Sequence, residues 1–311
     1  MNGLKILKTS GINLVKGGAA AVAALAGMML GGLVTSALNL PTMTMPDYMN
    51  ISTLMPLMFV SEMVMAIVLG ECFQRLYRSF WLRLLWLWLC HYLLYSAINT
   101  LDAFLFTTYT NLATNFVMNL FPALFVAAAV ALLWRPAAGS IAEQPGLAGY
   151  LAARQPRDWA WRFAAAWLCY PVIYYLAGRV VAIFTLSYYQ DPSHSLGLTL
   201  NVTLGGLMAM QVLRGALFLL AVLPIIVAWR GGQRNLWLVL GSIIFVQIAI
   251  VTVVQAYWMP FLAVRVPHGL ELLADSFAQA GVYAWLLAKE EASSKKEEAR
   301  RAEAVRATSR A

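Results

Sequence analysis

Eight ionisable residues of this sequence fall inside or beside long apolar runs: Glu62, Asp102, Arg179, Arg214, Arg265, His268, Glu271 and Asp275. A charged side chain at the centre of a bilayer costs about 2.5–3.5 kcal/mol or more, so each residue of this kind needs a partner or a task. His268-x-x-Glu271-x-x-x-Asp275 sets an imidazole and two carboxylates on one helix face, the groups needed for acid–base work or for part of a metal site. Arg179, Arg214 and Arg265 supply planar guanidinium forks that suit a carboxylate or phosphate held bidentately. Together the eight carry three arginines against four carboxylates, close to neutral.

The elements that must position them are membrane helices. The chain has 311 residues, 61% hydrophobic and 12% charged, against about 45–50% apolar and about 25% charged in an ordinary soluble domain. The apolar residues lie in runs of roughly 20, enough for a helix to cross about 30 Å of hydrocarbon. The expected fold is therefore all-α, a polytopic transmembrane helical bundle of about eight spans: Ala19 to Leu40, Leu54 to Phe73, Leu84 to Phe106, Phe116 to Trp134, Trp161 to Ser187, Gly205 to Trp229, Leu236 to Trp258 and His268 to Ala288. The eighth carries Glu271 and Asp275 and is the least apolar. A β-barrel, a disordered chain and a disulfide-stapled scaffold are excluded by the same composition, which includes only 3 cysteines.

Orientation follows from the basic residues, which are retained on the cytoplasmic side during insertion. Nineteen of the 22 fall before span one, after the even-numbered spans or at the span edges there; among the opposite loops only Arg265 is basic, and Arg179 and Arg214 lie within spans. Both termini are expected in the cytoplasm, the protein in a bacterial cytoplasmic membrane, and the net charge of +8 needs no nucleic acid to explain it. Residues 1–288 read as one transmembrane domain and 289–311 as a charged cytoplasmic tail with i,i+4 pairs such as Glu291 and Lys295. Span one exceeds the usual length of a signal-peptide core and reads as an uncleaved anchor.

Depth and helical phase place the eight residues together. Counted at 1.5 Å per residue from the span ends, they share the outer half of the membrane. His91, Tyr95, Asn99 and Asp102 form one stripe of an α-helix, His268, Glu271, Asp275 and Gln279 another, and Tyr175 with Arg179 and Gln211 with Arg214 extend the pattern. Spans two, three, five, six, seven and eight should then surround an outward-facing polar pocket, with one and four at the periphery. The function expected of such a pocket is binding or translocation of a small anionic or amphiphilic solute. An intramembrane enzyme acting on a lipid-linked substrate is the second reading. A non-catalytic assembly or partner subunit, with the charges as interhelical ion pairs, is the third. Glu71-x-x-x-Arg75 lacks the paired Glu and the later His motifs of intramembrane CAAX-type proteases and reads as a surface ion pair. No His-Glu-x-x-His, Gly-x-Ser-x-Gly or phosphate-binding glycine loop is present, so no cofactor and no metal are expected.

Three features bear on partners besides the lipid bilayer. Ala19, Ala23, Gly27 and Gly31 make a small-residue seam that suits close helix packing, within the chain or in a homodimer through Gly27 and Gly31. Cys72, Cys90 and Cys169 map to cytoplasmic halves of spans, where no disulfide is expected. Asn50-Ile51-Ser52 and Asn201-Val202-Thr203 are glycosylation sequons on the outer side, relevant only in a glycosylating host.

Overall fold

A computed structural model describes residues 3–41, 47–77, 79–108, 110–136, 146–191, 193, 196–199 and 202–288, with the side chains of 3–9 left out. The tail 289–311 and the Asn201 sequon position lie outside them. Helix follows helix: α1 (Gly3–Ala37), α2 (Ile51–Phe73), α3 (Phe80–His91), α4 (Asn99–Phe106), α5 (Leu112–Leu133), α6 (Leu147–Leu151), α7 (Pro156–Gln190), α8 (Leu204–Ala228), α9 (Gln233–Ile250) and α10 (Val266–Leu287). Among the described residues, three π-helical segments interrupt this order: Tyr92–Ile98 joins α3 to α4, Val251–Gln255 prolongs α9, and Phe261–Arg265 leads into α10. The only β-structure among the described residues is an isolated bridge between Thr107 and Leu198.

Among the described residues, seven helices are long and apolar enough to cross a membrane: Ser10–Ala37, Ile51–Phe73, Phe80–Phe106, Leu112–Leu133, Pro156–Gln190, Leu204–Ala228 and Gln233–Gln255. The eighth, α10, has 22 residues, a length of about 33 Å at 1.5 Å per residue, but its polar stripe keeps its hydropathy low. It packs between α9 and α7, where that stripe is covered by protein. Helix ends differ from the apolar windows where the helix runs on into polar sequence: α1 begins at Gly3 rather than near Ala19, and α7 at Pro156 rather than Trp161. Proline suits the start of α7 because a first-turn N–H has no helical partner.

The two ends of the bundle are finished differently. Helices α2, α5 and α8 start at the end away from the arginine clusters, and there Asn50, Asn111 and Thr203 accept hydrogen bonds from the N–H groups of Ser52, Thr114 and Gly206 at 2.9, 3.0 and 3.1 Å. At the basic end, arginines close the C-termini. Arg83, 3% exposed, donates to the carbonyls of Tyr77 at 3.0 Å and of Ala131 in the last turn of α5 at 2.7 Å. Arg154 donates to Leu286 and Ala288 at 3.2 and 3.0 Å, and Arg162 to Leu286 at 2.8 Å, all at the C-terminus of α10. Positive groups are favoured at this pole of the helix dipole and satisfy carbonyls that lack helical donors. Tyr150 adds its hydroxyl to Leu287 O at 2.7 Å; burial pushes this phenol above its ordinary range and keeps it a neutral donor.

The small-residue seam is taken up within the chain. In α5, Pro122 has no N–H, so the carbonyl of Met118 loses its i+4 donor. Gly31 of α1 sits directly on that carbonyl, and a Cβ at Gly27 would come within 2.6 Å of Pro122 Cα. Only glycine allows α1 to lie this close to the proline turn, and the backbone contact compensates for the missing donor. Gly27 and Gly31 thus face α5. Replacing Gly31 by Leu is expected to push the two helices apart and lower thermal stability in detergent by about 1–3 kcal/mol, while the oligomeric state by light scattering stays unchanged. Loss of a dimer with stability preserved would instead assign the seam to self-association.

Helix α1 packs along α5 and α2, so spans one and four are neighbours at one side. Helix α7 is more peripheral than phase counting implies: Val172, Leu176, Val180 and Ile183 are exposed along it, a surface suited to lipid. Glu71 pairs with Arg75 at 3.4 Å and also accepts from Asn13 and Gln74, so it belongs to the surface near the basic end, as its sequence position suggests. The three cysteines are free.

Candidate functional site

The eight residues separate into one large cluster, one smaller cluster and two outliers. The large cluster forms where α4, α7, α8 and α10 meet. On α10, the spacing of His268, Glu271, Asp275 and Gln279 puts all four toward the bundle; Glu271, Asp275 and Gln279 are buried. His268 Nδ1 lies 2.8 Å from Glu271 Oε2, and its Nε2 lies 2.9 Å from the hydroxyl of Tyr189 on α7. The imidazole therefore bridges a carboxylate and a phenol. A neutral ring achieves this by donating from Nδ1 and accepting at Nε2, and an imidazolium by donating from both.

Arg214 of α8 forms the other half. Its Nη2 donates to Asp102 Oδ2 at 2.6 Å and its Nη1 to Gln211 Oε1 at 2.8 Å. The guanidinium lies against the rings of Tyr170, Tyr174 and Phe218, 5.3, 5.7 and 6.0 Å from their centroids. Arg214 is 1% exposed, whereas the Asp102 side chain keeps 29% exposure, so the pair is approached from the Asp102 side. Asp275 is within electrostatic reach of Arg214, Glu271 and Asp102. Asp275 Oδ1 and Asp102 Oδ1 are both buried without a hydrogen-bond partner. One guanidinium thus stands among three carboxylates. An uncompensated charge inside a bundle is costly, so this arrangement favours uptake of positive charge, as a cation or as protons.

Arg179 and Arg265 are not part of this cluster. Gly178 is the α7 residue that faces it: a Cβ there would lie 3.4 Å from Glu271 Oε1. Arg179 follows one residue later, about 100° around the helix, and is exposed, with no ion pair or hydrogen bond to the described residues. Arg265 donates from Nε at 3.1 Å, and from Nη2, to the carbonyl of Val253, and lies over the Phe261 ring. It ties the segment before α10 to the π-helical end of α9. Of the three guanidinium groups expected to converge, only that of Arg214 lies among the carboxylates.

Glu62 belongs to the second cluster, about halfway along its helix. Its Oε2 is 3.4 Å from His91 Nε2, with side-chain exposures of 2% and 1%. His91 Nδ1 is 2.7 Å from Gln247 Oε1 of α9, and the ring stacks on Tyr95 at 5.2 Å with 9° between planes. The Tyr95 hydroxyl accepts from Gln255 Nε2 at 3.0 Å. The π-helical segment explains why His91 and Asp102 part company. Its i→i+5 bonding inserts an extra residue into the turn and rotates everything beyond it relative to an α-helical count. His91 then faces α2 and α9, while Asp102 turns to α8. Asn99 repairs the interrupted backbone, donating to Tyr95 O at 2.7 Å and Gln247 O at 3.4 Å.

Sequence reasoning missed Tyr170, Tyr174 and Tyr189. Tyr170, Tyr174 and Gly178 form an i,i+4,i+8 row on α7, and Tyr175 and Arg179 form the adjacent row, which carries the charge. Both rows read alike, and only packing shows that the second is exposed. Among the described residues, no three His, Cys, Asp or Glu side chains converge in a way that could hold a metal ion.

Fold and site together define a multi-pass helical membrane protein with two buried polar clusters inside its bundle. No protein-family model matches the chain, and comparisons with curated proteins and with solved structures find no match either.

Proposed function

We propose that this protein binds, and in doing so translocates or senses, a small cationic or protonated solute, with the cluster of Asp102, Glu271 and Asp275 as its binding site. The observation that carries the reading is the three carboxylates around a single guanidinium, with Oδ1 of Asp102 and of Asp275 buried and unpaired. Their chemistry fits an ammonium group better than a carboxylate or phosphate, because both terminal nitrogens of Arg214 are already engaged. His268 and Tyr189 offer a proton-carrying edge at 2.8 and 2.9 Å. The imbalance of basic residues between alternate loops supports placing this site in the outer half of the membrane, on the side opposite the arginine-capped end.

The test is a thermal-shift or calorimetric panel on the purified protein in nanodiscs, with methylammonium, choline and guanidinium set against acetate and inorganic phosphate. A cation in about a hundred-fold excess over its Kd should add about 2.7 kcal/mol of apparent stability, saturably. Saturable stabilisation by the anions alone would overturn the cation reading in favour of an anion site on Arg214.

A further inference from the structure

Glu62, His91 and Gln247 lie apart from the acid-rich cluster and have no part in the reading above. All three are buried, at the meeting of α2, α3 and α9, beside two π-helical breaks linked by the bond between Gln255 and Tyr95. We propose that Glu62 and His91 form a proton-binding site in the middle of the bundle, sharing one exchangeable proton between Glu62 Oε2 and His91 Nε2.

Tautomer geometry carries the argument. The Gln247 side-chain oxygen lies 2.7 Å from His91 Nδ1, and the tautomer that satisfies this contact carries its hydrogen on Nδ1. A neutral ring must then turn the lone pair of Nε2 toward Glu62. Two lone-pair-bearing atoms facing each other at 3.4 Å, both buried and neither with another hydrogen-bond partner, repel unless one proton lies between them. Adding that proton from water gives an imidazolium beside a carboxylate, or a neutral imidazole accepting from a carboxylic acid; releasing it restores the carboxylate and the neutral ring. The separation exceeds the usual 2.7–3.2 Å for such a bond, leaving room for the pair to tighten when the proton is bound.

Beside the pair, Tyr95 of the π-helical segment that follows His91 turns its hydroxyl to Glu62 as a hydrogen-bond donor. Helix α9 contributes the neutral amides Gln247 and Gln255. Helix α5 has no ionisable residue, and Lys16 of α1 is engaged over the Trp134 ring. Arg214 of α8 is held by Asp102 and Gln211, and the ionisable residues of α10, His268, Glu271 and Asp275, belong to the acid-rich cluster. His91 stacks on Tyr95, which Gln255 ties to the break in α9. Movement of the ring on protonation is therefore felt at both π-helical segments, a location where such segments frequently mark functional sites.

The experiment is nitrogen NMR of the full chain, labelled with 15N-histidine and reconstituted in lipid, across the pH range over which it stays folded. The sequence has three histidines, and the signal of His91 is assigned by its loss in His91→Gln. His91 is expected to change protonation state within that range, with Nδ1 protonated throughout, and the midpoint should move by about one pH unit or more in Glu62→Gln. A ring that carries its single proton on Nε2 at every pH, or a titration identical with and without Glu62, would show a static structural pair and overturn the proposal. If Glu62→Gln does not fold, infrared spectroscopy of the unsubstituted protein decides: a carboxyl band that changes together with the His91 signal supports the shared proton, and one that does not change excludes it. The result is independent of whether the acid-rich cluster binds a cation.

Discussion

Replacing Arg214 by Met is expected to destabilise the protein by about 3–5 kcal/mol. The guanidinium is 1% exposed, donates to Asp102 at 2.6 Å and to Gln211 at 2.8 Å, and fills a space walled by Tyr170, Tyr174 and Phe218. Its removal takes the fixed positive charge from among Asp102, Glu271 and Asp275, and methionine recovers only the packing. Thermal unfolding in detergent, followed by the fluorescence of the 11 tryptophans, measures the loss. The double replacement Arg214→Met with Asp102→Asn should recover a large share of it, because the cost lies chiefly in the stranded carboxylate. Arg179→Met is the contrast: this arginine is exposed and has no ion pair among the described residues, so a change of at most about 0.5 kcal/mol is expected. Equal losses from Arg214→Met and Arg179→Met would mean that the cluster is not assembled as described.

Asp275→Asn is expected to separate stability from binding. Asp275 is 2% exposed, its Oδ1 has no hydrogen-bond partner, and two other carboxylates are within reach. Replacing a buried, poorly compensated charge by a neutral isostere is neutral or stabilising for the fold. The same change removes a carboxylate from the proposed cation site. Affinity for the best cation of the ligand panel should fall by about 2–5 kcal/mol, from roughly 30-fold to several-thousand-fold. Retained affinity, with stability unchanged, would remove Asp275 from the site and leave the carboxylates as packing elements. A loss of stability of the size expected for Arg214→Met would point the same way, since it would mean that Asp275 is a structural partner and not a spare charge.

The contrast between these two residues shows how far the sequence could go. Both are single ionisable positions in apolar helices, and hydropathy marks both. On α10 the α-helical period held, so His268, Glu271, Asp275 and Gln279 could be placed on one face by counting, and they do lie together. On the third span the count failed at Tyr92–Ile98, because nothing in Tyr-Leu-Leu-Tyr-Ser-Ala-Ile announces i→i+5 bonding. Asn99, which satisfies the freed carbonyl, was visible as a polar residue but not as the repair of a π-helical turn. On α7 the choice between the Tyr170–Tyr174 row and the Tyr175–Arg179 row depended on which side meets α8 and α10. That is a property of the neighbouring helices. Periodicity gives the spacing of a face but not the direction it points.

Composition by itself determined the solvent, and therefore the fold class. Apolar runs of roughly 20 residues cannot be buried in a soluble domain of this size, and within hydrocarbon a helix satisfies its own backbone. The sequence also determined that a handful of charges would have to be compensated inside the bundle. Which charges meet which was decided only by the tertiary structure. Arg214, Asp102, Glu271 and Asp275 converge, Glu62 joins His91 instead, and Arg179 and Arg265 stand aside. The reason is physical: the cost of an intramembrane charge is local and can be read residue by residue, whereas its compensation is a contact between helices distant in sequence, set by a one-residue rotation at a π-helical turn and by the side of α7 that packing covers.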